Sequence, residues 1–229
     1  MKIEGIYASE QKRSPMAHRT EAVLGVRYFD AFENKWVGGG IVGDRYAKGA
    51  GSYKVKRPRQ APLSLDPIPG VCSRNLSITS IEAIDEANAI LLDQDPDARP
   101  FDQFDTKRNI VISGERNLEQ HIGRYIRVGT AVIFIESTCT PCNVPGEDSG
   151  KEGFEDAFAE GRGGVRAMVI QPGHITVGQS LGLAGAPADT KGYELRRKEL
   201  EIEGNIWRID GQLRDTSFPL GQPDSYISQ

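Results

Sequence analysis

Cys139-Thr140-Pro141-Cys142 is the most chemically loaded spacing in this chain. A structural zinc site built on it would need four ligands, and Cys72 with three scattered histidines makes a poor second half. A thioredoxin-like dithiol needs a strand that runs into a helix N-terminus, which lowers the thiol pKa. A strand precedes the pair here, but Asn143-Val144-Pro145-Gly146 follows and reads as a loop. A single functional thiolate at a strand end, acting as a soft metal ligand or a sulfur acceptor, is the third reading. Two inert buried thiols are the plain alternative.

Charged residues supply the other chemistry. Arg45, Lys48, Lys54, Lys56, Arg57 and Arg59 lie within fifteen residues that contain no acid. Dense cations among glycines suit a phosphate, which takes bidentate Arg and point-charge Lys; a solvated loop explains them equally well. The opposite bias runs from Glu147 to Glu160, where six acids face Lys151, and reads as a solvated helix or lid. Gly38 to Gly43 spells Gly-x-Gly-x-x-Gly, yet no apolar helical pattern follows it. A dinucleotide site needs that helix, so these glycines read as turns.

The elements that must hold these residues are mostly strands. Of 229 residues 26 are glycine, a share that suits many short strands and tight turns. Strands are predicted at Arg108–Ile112, around Tyr125 and Arg127, at Ala131–Ile135, and at Val165–Gln171 with Ile175–Val177 as a hairpin across Pro172-Gly173-His174. A turn at 30–35 leading to Trp36-Val37 and Ile41-Val42 predicts another hairpin. The spacing predicts a helix within Ile81–Asp93, with Thr79 and Glu82 as a capping box, unless Ser77-Ile78-Thr79 is a strand end. A short helix is predicted over Asn117–Ile122, and Leu195–Leu200 is helical in composition. Four prolines make Arg57–Gly70 a loop. The organisation expected is one mainly β domain over 1–181 and a C-terminal extension over 182–229.

Composition narrows the function classes. The formal charge of −4 argues against a nucleic-acid partner. No apolar run reaches the ~18 residues of a membrane span, so no membrane association is expected. The N-terminus lacks a signal-like stretch and three cysteines cannot pair completely, which makes a reducing cytoplasm the expected location.

Several short motifs occur in a telling order. They are Gly43-Asp44-Arg45-Tyr46-Ala47, Ile78-Thr79-Ser80-Ile81-Glu82-Ala83, Arg108-Asn109-Ile110-Val111-Ile112-Ser113-Gly114, Pro141-Cys142, Arg162-Gly163-Gly164-Val165-Arg166-Ala167 and Gly173-His174-Ile175-Thr176-Val177-Gly178. The series resembles the MOSC domain, of the free-standing bacterial type, from about Gly43 to Leu181. The resemblance implies a β-barrel with a few short helices. It also implies molybdenum cofactor binding, with Cys142 as the metal ligand and catalytic residue or as a persulfide carrier. Arg45 and Arg108 would hold cofactor phosphate and pterin, with Lys48, Asn109 and Arg166 as further cofactor-binding positions. The activity implied is reduction of N-hydroxylated or N-oxygenated small molecules by an oxidoreductase. No nicotinamide or flavin motif stands, so a separate electron-donor reductase is the expected partner. The alternative is a sulfur carrier served by a cysteine desulfurase. No pyridoxal phosphate is expected, since these residues have no counterpart of the desulfurase domain fused to some members. Gly161 stands where related reductases usually carry a polar residue ahead of Arg-Gly-Gly.

Overall fold

The structure, a computed structural model, describes residues 1–11, 13–25, 39–45 and 76–185, with the strands of two further hairpins. The chain begins with β1 (Lys2–Ala8), β2 (Ala17–Arg19), β3 (Glu21–Gly25), β4 (Tyr28–Asp30), β5 (Lys35–Val37) and β6 (Gly40–Ile41). β7 (Leu76–Ser80) leads into α1 (Ile81–Gln94), and β8 (Ile110–Ser113), β9 (Tyr125–Val128) and β10 (Ala131–Thr138) follow. Two short helices, α2 (Val144–Ser149) and α3 (Phe154–Ala157), precede β11 (Val165–Gln171), β12 (Gly173–Thr176) and β13 (Leu181–Ala184). Among the described residues, β14 (Ile206–Ile209) and β15 (Gln212–Asp215) pair with each other.

Eight strands form the main sheet in the order β13-β9-β10-β11-β7-β8-β1-β2. Every pair is antiparallel except β7 and β8, whose connection passes through α1. The sheet curls until its two sides meet. Ile3 N–H donates to Gln179 O at 2.8 Å and Leu181 N–H to Met1 O at 2.9 Å, which joins the start of β1 to the approach of β13. Alternate residues of β1, β7, β8, β10 and β11 face the enclosed core: Ile3, Ile6, Leu76, Ile78, Ile110, Ile112, Ile133 and Val165 are all at most 2% exposed. The opposite face is covered by α1 and α3. There Ile84, Ala87 and Leu91 pack with Phe101, Phe154, Phe158 and Val111. β12, β3 and β6 make a second small sheet, which contributes Ala22, Leu24, Ile41 and Ile175 to the barrel core. The architecture is mainly β, a curled half-barrel with little helix.

Several sequence expectations need correction. Pro172-Gly173-His174 does not close a hairpin, because β12 leaves β11 and pairs with β3, His174 opposite Val23. A bond from Thr130 N–H to His174 O, 3.1 Å, secures the chain where it changes sheets. Trp36 and Val37 do pair back across 30–35, with Phe29 and Tyr28, as expected, but Ile41 belongs elsewhere and pairs with Leu24 of β3. The capping box is absent. Ser77-Ile78-Thr79 is the strand end, Ser80 is the N-cap with its hydroxyl accepting from Ala83 N–H at 3.2 Å, and Glu82 turns away to Gly114 N–H. Asn143-Val144-Pro145-Gly146 is no loop either, since α2 begins at Val144 with proline in its first turn, where no amide donor is needed. The edge strand β13 spans Leu181–Ala184 and pairs with β9. The expectations for Lys48 to Gly70, Cys72 and Leu195–Leu200 fall outside the described residues.

Candidate functional site

The two cysteines separate by burial. β10 ends at Thr138, and Cys139 N–H donates to Gly164 O at 2.8 Å, which extends the pairing of β10 with β11 by one step. Cys139 is buried and Cys142 exposed. Between them Pro141 lacks an amide and favours an extended residue before it, so the chain leaves the sheet without turning helical until Val144. A dithiol would need both sulfurs within reach of a substrate, and only one is at the surface.

Gly163 and Gly164 make this crossing possible. At Gly164 φ is +83°, in the region that favours glycine, and a Cβ would run into the Ile78 carbonyl. At Gly163 a Cβ would collide with the Cys139 carbonyl and meet Pro141 Cδ at 3.1 Å. Arg162, 5% exposed, ties the same turn down: its Nε donates to Ala157 O at 2.7 Å and its Nη1 lies 3.1 Å from Glu86 on α1.

The expected cofactor residues have different local roles. Arg45 is half-buried; its backbone N–H bonds Ser9 O at 2.7 Å, and its Nη1 lies 3.5 Å from Gln11 O. Arg108 is buried, and its Nε and Nη1 donate to the carbonyls of Gly163 and Thr106 at 2.9 and 3.1 Å. Asn109 stitches three strands: its Oδ1 accepts from the Ser77 backbone and hydroxyl, while its Nδ2 donates to Tyr7 O. Arg166 pairs across β11 with Ser137 of β10 and Ser77 of β7, and its Nε is buried without a hydrogen-bond partner. Lys48 lies outside the described residues.

The acidic run folds as α2, α3 and the turns around them. An open cleft of about 500 Å³ lies beside Asn143, the residue after the exposed thiol, and is lined by Glu147, Lys151, Glu152 and Phe154 among others. Lys151 does not face solvent. Its Nζ sits 2.6 Å from the buried Asp105 carboxylate, bonds Pro100 O, and lies 5.7 Å from the centre of the Phe101 ring. Asp105, Lys107 and Lys151 were missed by sequence reasoning. The signal available was that Lys151 is the lone cation of an acidic run, the pattern of a lysine with a buried partner.

Among the described residues, Glu86 is the carboxylate most strongly held by cations, the centre of a charged node. The guanidiniums of Arg116 and Arg162 hold its carboxyl well below the usual range, at about 2, Arg116 making the larger contribution through bonds of 2.6 and 2.8 Å. The node joins α1 to the turns before β9 and β11.

A curled, mainly β sheet with an exposed thiol at the end of one strand and a glycine turn braced beneath it defines the class. The MOSC domain profile matches residues 64–182, just over half of the chain, and the chain belongs to this family. The family is associated with the molybdenum cofactor. Among solved structures, the YuaD protein from Bacillus subtilis is similar over 79% of this chain and 93% of its own, with 22% identity and a TM-score of 0.55. A hypothetical protein of known structure matches 89% of this chain and 91% of its own, at 15% identity and a TM-score of 0.51. At these identities the likeness establishes the fold. No curated protein matches the sequence.

The residues present fit such a cofactor. Cys142 offers an exposed soft sulfur. The buried Nε of Arg166 has a donor to give, and its strand neighbour Ser137 lies five residues ahead of Cys142. No helix among the described residues is long and apolar enough to cross a membrane.

Proposed function

We propose that this chain binds the molybdenum cofactor through Cys142 and reduces N-hydroxylated or N-oxygenated small molecules. The supporting observation is the exposure of Cys142 beside a buried Cys139. Cys142 would be the metal ligand. Arg45 and Arg166, with Lys48 in the loop that follows Arg45, would hold the phosphate and pterin. Arg108 and Asn109, whose donors reach the carbonyls of Thr106, Gly163 and Tyr7, would support that cradle from behind. When bound, the cofactor supplies two-electron chemistry that accepts an oxygen atom from the substrate. The net change is R–NHOH + 2 H⁺ + 2 e⁻ → R–NH₂ + H₂O, with electrons from a separate reductase protein. The cleft lined by Asn143, the residue after Cys142, would give a small substrate room.

A second reading shares the same observation, because an exposed thiol is also what a persulfide carrier needs. Cys142 would then accept sulfur from a cysteine desulfurase and pass it to the cofactor or a metal–sulfur site.

One set of measurements separates them. Protein from a cofactor-competent host is assayed for molybdenum and for reduction of a hydroxylamine by a chemically reduced dye. The proposal expects molybdenum, turnover, and loss of both in Cys142→Ser. A protein without molybdenum, and with none taken up on reconstitution, overturns it. A persulfide on Cys142 after desulfurase treatment, with no hydroxylamine turnover, selects the carrier.

A further inference from the structure

The segment that bears Cys142 is held by one short stretch ahead of β8, Asp105 to Arg108, directly at its far end and through Gly163 at its near end. At the near end Arg108 Nε grips the Gly163 carbonyl at 2.9 Å, and Gly163 is the residue on which Cys139 and Pro141 rest. At the far end Lys107 Nζ lies 3.4 Å from Asp148 of α2, with side chains only 16% and 12% exposed. Behind α2, Lys151 Nζ lies 2.6 Å from Asp105 Oδ2, with 13% and 5% exposure. Lys107 also bonds Ser14 O at 3.5 Å and adopts φ +56°, a left-handed conformation that side chains other than glycine seldom take.

Two features argue against ordinary packing. Desolvated ion pairs are inefficient stabilisers, and apolar residues of similar size commonly hold a loop at least as firmly. What such pairs supply is one geometry, because neither charge tolerates being left alone. Strained backbone likewise gathers where a position must be held. Both occur between Asp105 and Lys107: these two residues carry the ion pairs to the Cys142 arm, and Lys107 carries the positive φ.

We propose that Lys107 and Asp105 are positioning residues, which by pairing with Asp148 and Lys151 hold α2 and the loop behind it and so set where the Cys142 thiol sits. The proposal rests on Cys142 being the functional thiol. The test uses the full chain without metal, so that it reads the arm and not turnover. Hydrogen exchange is followed over 142–151, and alkylation by iodoacetamide is mapped to Cys142 by mass spectrometry. Lys107→Met should speed both by about threefold or more while protection across β1, β8 and β10 stays unchanged. Lys107→Arg, which keeps the charge, should return both rates to near the native values. Asp148→Asn removes the same pair from the other side and serves if Lys107→Met does not fold. Unchanged exchange and alkylation in a folded variant overturn the positioning role, as does a Lys107→Arg protein as loose as Lys107→Met. Failure of the molybdenum assay above is a separate result, since it removes the function of Cys142 and leaves these rates as measured.

Discussion

Arg166 shows how much a single side chain can say about a site. A buried donor without a partner costs stability in the metal-free protein, and a ligand acceptor would remove that cost. Arg166→Met should therefore leave the metal-free protein as stable as before or raise it by about 1 kcal/mol, while molybdenum content falls. Denaturant melts and metal analysis on the same preparations check both halves. A variant that loses stability and keeps its metal would make Arg166 a packing residue. The residue types here were legible beforehand. That Cys139 is buried and Cys142 exposed agrees with an extended chain through Pro141, which sends side chains to opposite faces. What Arg108 and Asn109 do was not legible, because their partners are backbone carbonyls far off in sequence.

At the scale of elements, the critical joint is where β7 ends, α1 begins and the chain from α3 enters β11. Gly164 approaches the Ile78 backbone too closely for any side chain and has a positive φ as well. Gly164→Ala should cost about 2 kcal/mol or more, read as a lower urea midpoint at unchanged slope. β11 spans Val165–Gln171 as the alternation predicts, and the short helical turn at Leu118–His121 falls inside its predicted range. The failures were of pairing. Periodicity marks a strand's own faces but carries no record of its partner, so β12 read as the return of a hairpin and joined β3 instead. The start of α2 escaped because proline reads as a breaker, although its missing amide donor is harmless in a first turn.

Across the whole molecule, the Glu86 node with Arg116 and Arg162 links α1 to two turns on the barrel's rim. Its carboxyl is held at about 2 against an ordinary 4.5, so the folded state binds its proton later than the unfolded chain does. The stabilisation is fully present above 4.5 and is lost as pH falls through about 2. Glu86→Gln should lower the melting temperature at neutral pH, and the gap to the native protein should close over that acid range. The carboxylate is 39% exposed, so salt should also narrow the gap. An equal gap at pH 7 and in strong acid would mean that packing, and not charge, is lost.

The sequence by itself determined the mainly β character, the positions of α1 and most strands, and the family, whose pattern singles out Cys142. All of these follow from local signals: alternation, turn residues and short motifs in order. Only the tertiary structure decided which of the two thiols is exposed, that Asp105 and Lys107 grip the Cys142 arm and that Arg166 holds an unspent donor. It also decided that β12 crosses to a second sheet. These depend on which distant segments the curled sheet brings together, and a hydrophobic period specifies burial without specifying neighbours.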